Sequence, residues 1–367
     1  MDFSLSEELV LLRDSVDKYV SENCTVERHR RLQHSELGFD ADAWQQFAEL
    51  GWLSVPFGEA LGGFDAGPAG TMVVAQALGR ALVREPYLHT VVTCGNLLQC
   101  AGTQAQQAAW IPPIIDGSAQ WAFAFAERGS DFDLGQVTTR AVAQGDGFAV
   151  SGRKIAVLNG HCADQLLVTA LYDGAVGLYV IDATATGVSR ERFVAVDGSG
   201  GAHLVLDNAA AERLGESPDG QAALATALNH VTVAMGAEAL GAMQSLLDAT
   251  VEYTKTRQQF GQPISRFQVL QHRMADMFMK VEETRSLVLN ATILLGQGSA
   301  AADAACAALK VKFAEASRFV SQQAIQLHGG IGMTDELVIG HHYKRLLLLG
   351  KLYGDEQYHL ERFAAAG

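Results

Sequence analysis

The chain has 367 residues, 49% of them hydrophobic, and a formal charge of −14 at pH 7. That length suggests two or three domains, and the acidic balance argues against nucleic acid or an anionic membrane as partner. The start "MDFSLSEELV" lacks the pattern of a signal peptide and no run of about 18 apolar residues predicts a membrane span, so a cytoplasmic setting is expected.

Up to about residue 115 the periodicity is helical. In "SLSEELVLLRDSVDKYV" Ser4 or Ser6 can cap a helix whose apolar positions Leu9, Val10, Leu12, Val16 and Val20 fall near i, i+3, i+4 spacing. "FAELGWLSVPFGEALGGFDAG" ends one helix in a glycine-rich loop, and "GTMVVAQALGRALV" reads as the next helix. "WIPPII" predicts a break, because two prolines are not expected inside a regular element.

From about Gln120 to Leu214 the texture is that of strands. "GFAVSG" alternates, and "QLLVTALYDGAVGLYVIDA" is two β-rich runs joined at Asp173-Gly174, a strong hairpin signal. An antiparallel barrel or sandwich fits. Beyond Pro218 four long amphipathic runs return, ending in "DELVIGHHYKRLLLLGKLYG", and short connections make an antiparallel bundle the natural solution. The expected architecture is α+β multidomain: an N-terminal α-helical domain (1–117), a middle antiparallel β-domain (118–215) and a C-terminal four-helix bundle (216–367). Cys24, Cys94, Cys100, Cys162 and Cys306 form no C-x-x-C pair, so neither a zinc site nor a disulfide framework is indicated. His341-His342 and Met274, Met277 and Met279 have no metal-ligand constellation and read as surface and core.

Two segments carry the functional signal. "YTKTRQQFGQPISRFQVLQHRMADM" (253–277) is a helix, a break at "FGQPI" and a second helix; "QLHGGIGMTDE" (326–336) places three glycines in an otherwise helical stretch. Together with the three-part layout they resemble the acyl-CoA dehydrogenase family over essentially the whole chain, most of all its pimeloyl-CoA dehydrogenase small-subunit branch. The resemblance implies FAD as cofactor, with Arg257, Gln259, Phe260, Gln268, Gln326, Gly329 and Gly330 clasping its adenine and pyrophosphate. Glycine lets backbone N–H groups approach a diphosphate, and arginine offsets its charge. In such proteins the bundle of one subunit clasps the flavin seated in its neighbour, so these residues predict an oligomer.

Other positions depart from the family's pattern. A Thr-Glu-Pro followed by Gly-Ser-Asp is expected in the β-domain; here the run is "FAFAERGSDFD", with Phe125 or Ala126 in the threonine's place and Gly129-Ser130-Asp131 two residues early. Ser130 remains an expected hydrogen-bond donor to the cofactor. "GRKIAVLNG" has Ala156 and Leu158 where a tryptophan and a threonine are usual. Dehydrogenation also needs a carboxylate to take the proton α to the thioester. Gly354 and Val231 occupy the two usual places for a glutamate, and Thr232 stands where an arginine is often found. Two replacements offer themselves: Asp355, one residue late, and Glu238, two helical turns or roughly 10 Å beyond Val231, among the small residues Ala234, Gly241, Ala242 and Ala249.

Three readings follow. The first is the small subunit of an α2β2 FAD-dependent acyl-CoA dehydrogenase that acts on an acyl-CoA thioester. It pairs with a second dehydrogenase-like subunit, and an electron-transfer flavoprotein is the expected acceptor. The second is a homomeric enzyme using Glu238 or Asp355 as base. The third is a flavin-free structural subunit.

Overall fold

The computed structural model describes residues 4–366. The first helices are α1 (Glu7–Asn23), α2 (Val26–Gln33), α3 (Ala41–Glu49), α4 (Gly67–Arg80), α5 (Gly95–Ala101), α6 (Gln104–Trp110) and α7 (Pro112–Ile115). Seven strands follow: β1 (Trp121–Ala124), β2 (Arg140–Gln144), β3 (Gly147–Leu158), β4 (Gln165–Tyr172), β5 (Ala175–Asp182), β6 (Val188–Val194) and β7 (Gly200–Arg213). The chain ends in α8 (Gln221–Thr256), a small hairpin of β8 (Gln258–Gln259) and β9 (Gln262–Pro263), then α9 (Gln268–Gly296), α10 (Ala302–His328), α11 (Val338–Leu349) and α12 (Glu356–Ala365).

Two compact bodies result: 1–31, 68–83 and 232–367 form one, 32–67 and 84–231 the other. The first is helical. Ser6 caps α1 by accepting from the Leu9 amide, and Val16 and Val20 are its buried positions. The four helices expected at the C-terminus are α8 to α11; α12 adds a fifth, and α10 packs against α9, α11 and α12. α4 and α8 meet backbone to backbone, since a Cβ on Gly79 would stand 2.1 Å from the Glu238 carbonyl oxygen and one on Gly241 2.0 Å from that of Gln76. The small residues along α8 therefore serve helix approach.

The second body is built on the sheet. The Asp173-Gly174 turn has both residues at positive φ (50° and 82°) and joins β4 to β5 in antiparallel register, Tyr172 opposite Ala175. These are the dihedral signs of a type I′ turn. Pairings β4–β2, β2–β3, β3–β7, β7–β5 and β5–β4 close a ring of five strands, with β1 added to β4 and β6 to β7. Val150, Leu166, Val168, Tyr179, Ile181, Leu204 and Leu206 fill its core. The domain is antiparallel except where β1 and β2 pair parallel to β4.

At "WIPPII" the helical pattern breaks at Ile111, between α6 and α7, and both prolines fall after the break. Pro112 and Pro113 open α7, where the missing N–H groups are among those a helix start leaves unbonded anyway. Tyr87–Cys94 is a fully buried π-helix, in which the Thr93 hydroxyl donates to the Leu88 carbonyl five residues back at 2.7 Å. His341 (3% exposed) and His342 (0%) are core, not surface, with His342 Nε2 3.2 Å from the Ser245 hydroxyl. Met277 is core as expected, but Met279 is 54% exposed.

Lys310 is fully buried on α10, and its Nζ donates to the Leu349 carbonyl at 2.6 Å. Burial pulls its pKa down to about 7. Folding is therefore penalised while Lys310 must be charged, fully below pH 7, and the penalty fades as pH rises toward lysine's ordinary value. The stability difference between wild type and Lys310→Met should shift in favour of wild type between pH 7 and 10, read by denaturant unfolding at several pH values. Gly241→Val should destabilise by about 1–3 kcal/mol, seen as a lower thermal midpoint.

Candidate functional site

The two sequence segments lie at one end of the helical body. α8 ends at Thr256, and Arg257 leads into the β8–β9 hairpin, whose turn residues Phe260 and Gly261 both have positive φ (51° and 78°). A bulky residue pays for that conformation. Phe260 nevertheless stands 90% exposed, its ring edge-on to Phe267 at 6.0 Å. Gln268 begins α9. Arg257, Gln259 and Gln268 are exposed, and the Arg257 guanidinium has no hydrogen-bond or ion-pair partner among the described residues.

Gln326 lies exposed on the last turn of α10. Gly329 ends that helix at φ 67°, ψ −145°, a conformation that requires glycine. Gly330 has no such requirement, and a Cβ there would meet no atom within 4 Å among the described residues. The segments are joined where Tyr253 of α8 stacks on His328 of α10, ring centroids 4.4 Å apart and planes at 23°. His328 Nδ1 is 2.8 Å from the Ala324 carbonyl, and burial lowers the pKa of its ring. The seven clamp residues are thus gathered on the exposed ends of α8, α9 and α10.

The strand body treats its expected cofactor residues differently. The Ser130 hydroxyl donates to the Glu127 carbonyl at 3.0 Å and accepts from the Glu127 amide at 3.2 Å, with the residue 7% exposed. It braces its own loop, whereas the sequence leads one to expect it to donate to the cofactor. Phe125 stacks on Phe123 at 5.4 Å. Beneath this loop Lys154 is fully buried and donates to Glu127 Oε1 (2.7 Å), the Thr169 hydroxyl (2.8 Å) and the Phe125 carbonyl (3.1 Å). Burial works to raise the Glu127 carboxyl, but Lys154, Thr138 and Thr139 outweigh it and hold it down at about 2. Sequence reasoning misses this ion pair, because "AERGSD" and "GRKIAV" give no sign that a carboxylate and an ammonium are buried together. Leu158 is buried, and Ala156, exposed at φ 52°, offers only a methyl group.

Neither candidate base is at liberty. Glu238 is 8% exposed, and its Oε1 accepts from Arg345 Nε at 2.6 Å, tying α8 to α11. Asp355 caps α12 by accepting from the Gln357 and Tyr358 amides and pairs with Lys351 at 2.9 Å. The Lys351 bond, foremost, holds the Asp355 carboxyl below its ordinary range, the wrong direction for a general base. Gly354, in the usual glutamate's place, has φ 111°, and a Cβ there would lie 2.4 Å from Tyr358 Cδ1 and 2.6 Å from His359 Nε2. The other place, Val231, is fully buried and apolar.

With this geometry in view, the comparisons with known proteins are decisive. Residues 6–118 match the acyl-CoA dehydrogenase N-terminal domain and residues 219–367 its C-terminal domain. Acyl-CoA dehydrogenase FadE27 of Mycobacterium tuberculosis is 31% identical over 343 residues, 91% of this chain and 90% of its own length. The chain belongs to the acyl-CoA dehydrogenase family. It is thereby an oxidoreductase of an FAD-dependent family. Among solved structures, a variant of the Tcur3481-Tcur3483 steroid dehydrogenase superposes with TM-score 0.90 at 29% identity, covering 99% of this chain and 98% of its own. The ChsE4-ChsE5 complex from Mycobacterium tuberculosis gives TM-score 0.91 at 28% identity, covering 100% and 98%.

For a member of this family, the base positions decide what the chain can do unaided. Gly354→Glu, which restores a carboxylate to its usual place, should cost about 1–3 kcal/mol of stability and generate no dehydrogenation. A thermal melt and an acyl-CoA assay with an artificial electron acceptor check both.

Proposed function

We propose that this chain is the small subunit of a heteromeric acyl-CoA dehydrogenase, supplying the adenine and pyrophosphate clamp to an FAD seated in a partner chain. The observation that carries this reading is that Gly330, where an added Cβ would meet no described residue within 4 Å, lies at the same end of the helical body as Arg257, whose side chain has no partner among the described residues, and the exposed, strained Phe260. The Arg257 guanidinium would neutralise a diphosphate, the backbone at Gly329 and Gly330 would approach it closely, and Gln259, Gln268 and Gln326 would supply neutral hydrogen bonds. The Phe260 ring offers a face to a purine.

When bound, FAD supplies the acceptor for hydride from the β carbon of the thioester. The flavin-ring contacts fit this chain poorly: Ser130 is bonded within its own loop, and Ala156 and Leu158 provide neither aromatic cover nor a hydroxyl. With Glu238 and Asp355 committed to structural bonds, the base falls to the partner, and the homomeric reading loses its support. The ChsE4-ChsE5 structure is by its own description a complex of two chains, and the Tcur3481-Tcur3483 protein is described as acting in steroid chemistry. The first favours a heteromeric assembly and the second a bulky acyl chain; we read the assembly as α2β2, the acyl chain as of steroid side-chain or pimeloyl type, and an electron-transfer flavoprotein as acceptor. We read 1–117, 118–215 and 216–367 as the family's three segments.

Expressed alone, the chain should carry no stoichiometric flavin, and it should turn yellow in complex with its dehydrogenase-like partner. Arg257→Ala should weaken FAD binding to that complex about 10- to 100-fold, the effect of one charge-assisted contact, while light scattering shows the assembly intact. One FAD per chain in a homo-oligomer, or a complex indifferent to Arg257→Ala, would overturn the proposal.

A further inference from the structure

Tyr253 touches both halves of the clamp. Its backbone carbonyl accepts from the Arg257 amide at 2.9 Å, and Arg257 in turn accepts at its own carbonyl from the Ile264 amide at 2.9 Å, which fixes the entry to the β8–β9 hairpin. Its side chain reaches the other half. The ring lies on the His328 imidazole, and the hydroxyl donates to the His328 carbonyl at 3.3 Å, one residue before Gly329. That carbonyl belongs to the last turn of α10, where it has no partner within α10, and it opens the 3-10 turn Gly329–Met333. His328 is fixed in turn, since Nδ1 donates to the Ala324 carbonyl and the residue is 6% exposed.

We infer that the Tyr253–His328 pair is a strut that sets the distance between Arg257 on one side and Gly329-Gly330 on the other, making Tyr253 a positioning residue for the adenylate half of the cofactor. The inference rests on the proposed clamp. Packing alone would be served by any large apolar residue at 253, whereas the hydroxyl meets the carbonyl whose placement orients the glycine backbone. A diphosphate bridged by a guanidinium and backbone amides tolerates little change in their separation. A strut across the gap is therefore worth more to binding than to stability.

FMN, which lacks the adenylate, separates the two roles. FAD and FMN affinities would be measured on the flavin-stripped assembly with its partner, by quenching of flavin fluorescence. Tyr253→Leu should weaken FAD about tenfold, the combined worth of a ring stack and a hydrogen bond, and leave FMN unchanged. Tyr253→Phe, which keeps the ring and folds with least disturbance, should show roughly a threefold loss for FAD alone. Equal weakening of FAD and FMN, or wild-type FAD affinity in both variants while Arg257→Ala weakens it, overturns the strut and leaves the clamp standing. Indifference of FAD to Arg257→Ala removes the clamp itself, and the strut with it.

Discussion

The last carbonyls of a helix have no partners within it, and a side chain from a neighbouring helix that reaches one ties the two elements at a fixed register. This constraint organises the helical body. Lys310 of α10 reaches the end of α11 at Leu349, and Tyr253 of α8 reaches the end of α10 at His328. Glu238 and Arg345 tie α8 to α11 between these points. With α10 held in this way, the short glycine segment that follows it is presented on a rigid support. The residues proposed as the clamp are exposed at the ends of α8, α9 and α10.

The strand body uses its polar groups in the opposite way. Around Glu127 and Lys154 both charged groups are hydrogen-bonded internally, though the buried Thr139 hydroxyl is not, and Ser130 closes its loop onto itself. A buried ion pair of this kind is costly unless fully bonded, because both ions lose their water. Lys154 meets the requirement with three acceptors, and the Glu127 carboxylate meets it with the Thr138 and Thr139 amides as well. Hydroxyls and carboxylates engaged in this way hold a loop in place but do not offer themselves to a ligand. The contrast between exposed residues at the helix ends and a loop bonded within itself is what the proposed division of the active site between two subunits rests on.

Much of the architecture is legible in the sequence because it depends on neighbours in the chain. Apolar spacing marks α1 and the four long C-terminal helices, and Asp173-Gly174 marks its hairpin, since φ preferences are local. The clamp segments can be recognised for the same reason: glycines and an arginine at helix ends form a pattern within a few residues. Sequence reasoning fails where a residue type is judged without its surroundings. Two prolines argue against a helix, yet they start one; two histidines read as surface, yet α11 buries both. Among the small residues around Glu238 that suggest a pocket for a carboxylate, Gly241 instead lets α4 approach closely.

The sequence by itself determined the family and the order of helical and strand segments, through short-range pattern. Only the tertiary structure decided which polar groups are already spent. Glu238 finds Arg345, and Glu127 finds Lys154, across distances in the chain that no local pattern encodes; Ser130 bonds within its own loop, whereas Asp355 is engaged by neighbours two to four residues away. A carboxylate in a sequence is a possible base; whether it is free to act depends on the neighbour that folding places within hydrogen-bond distance.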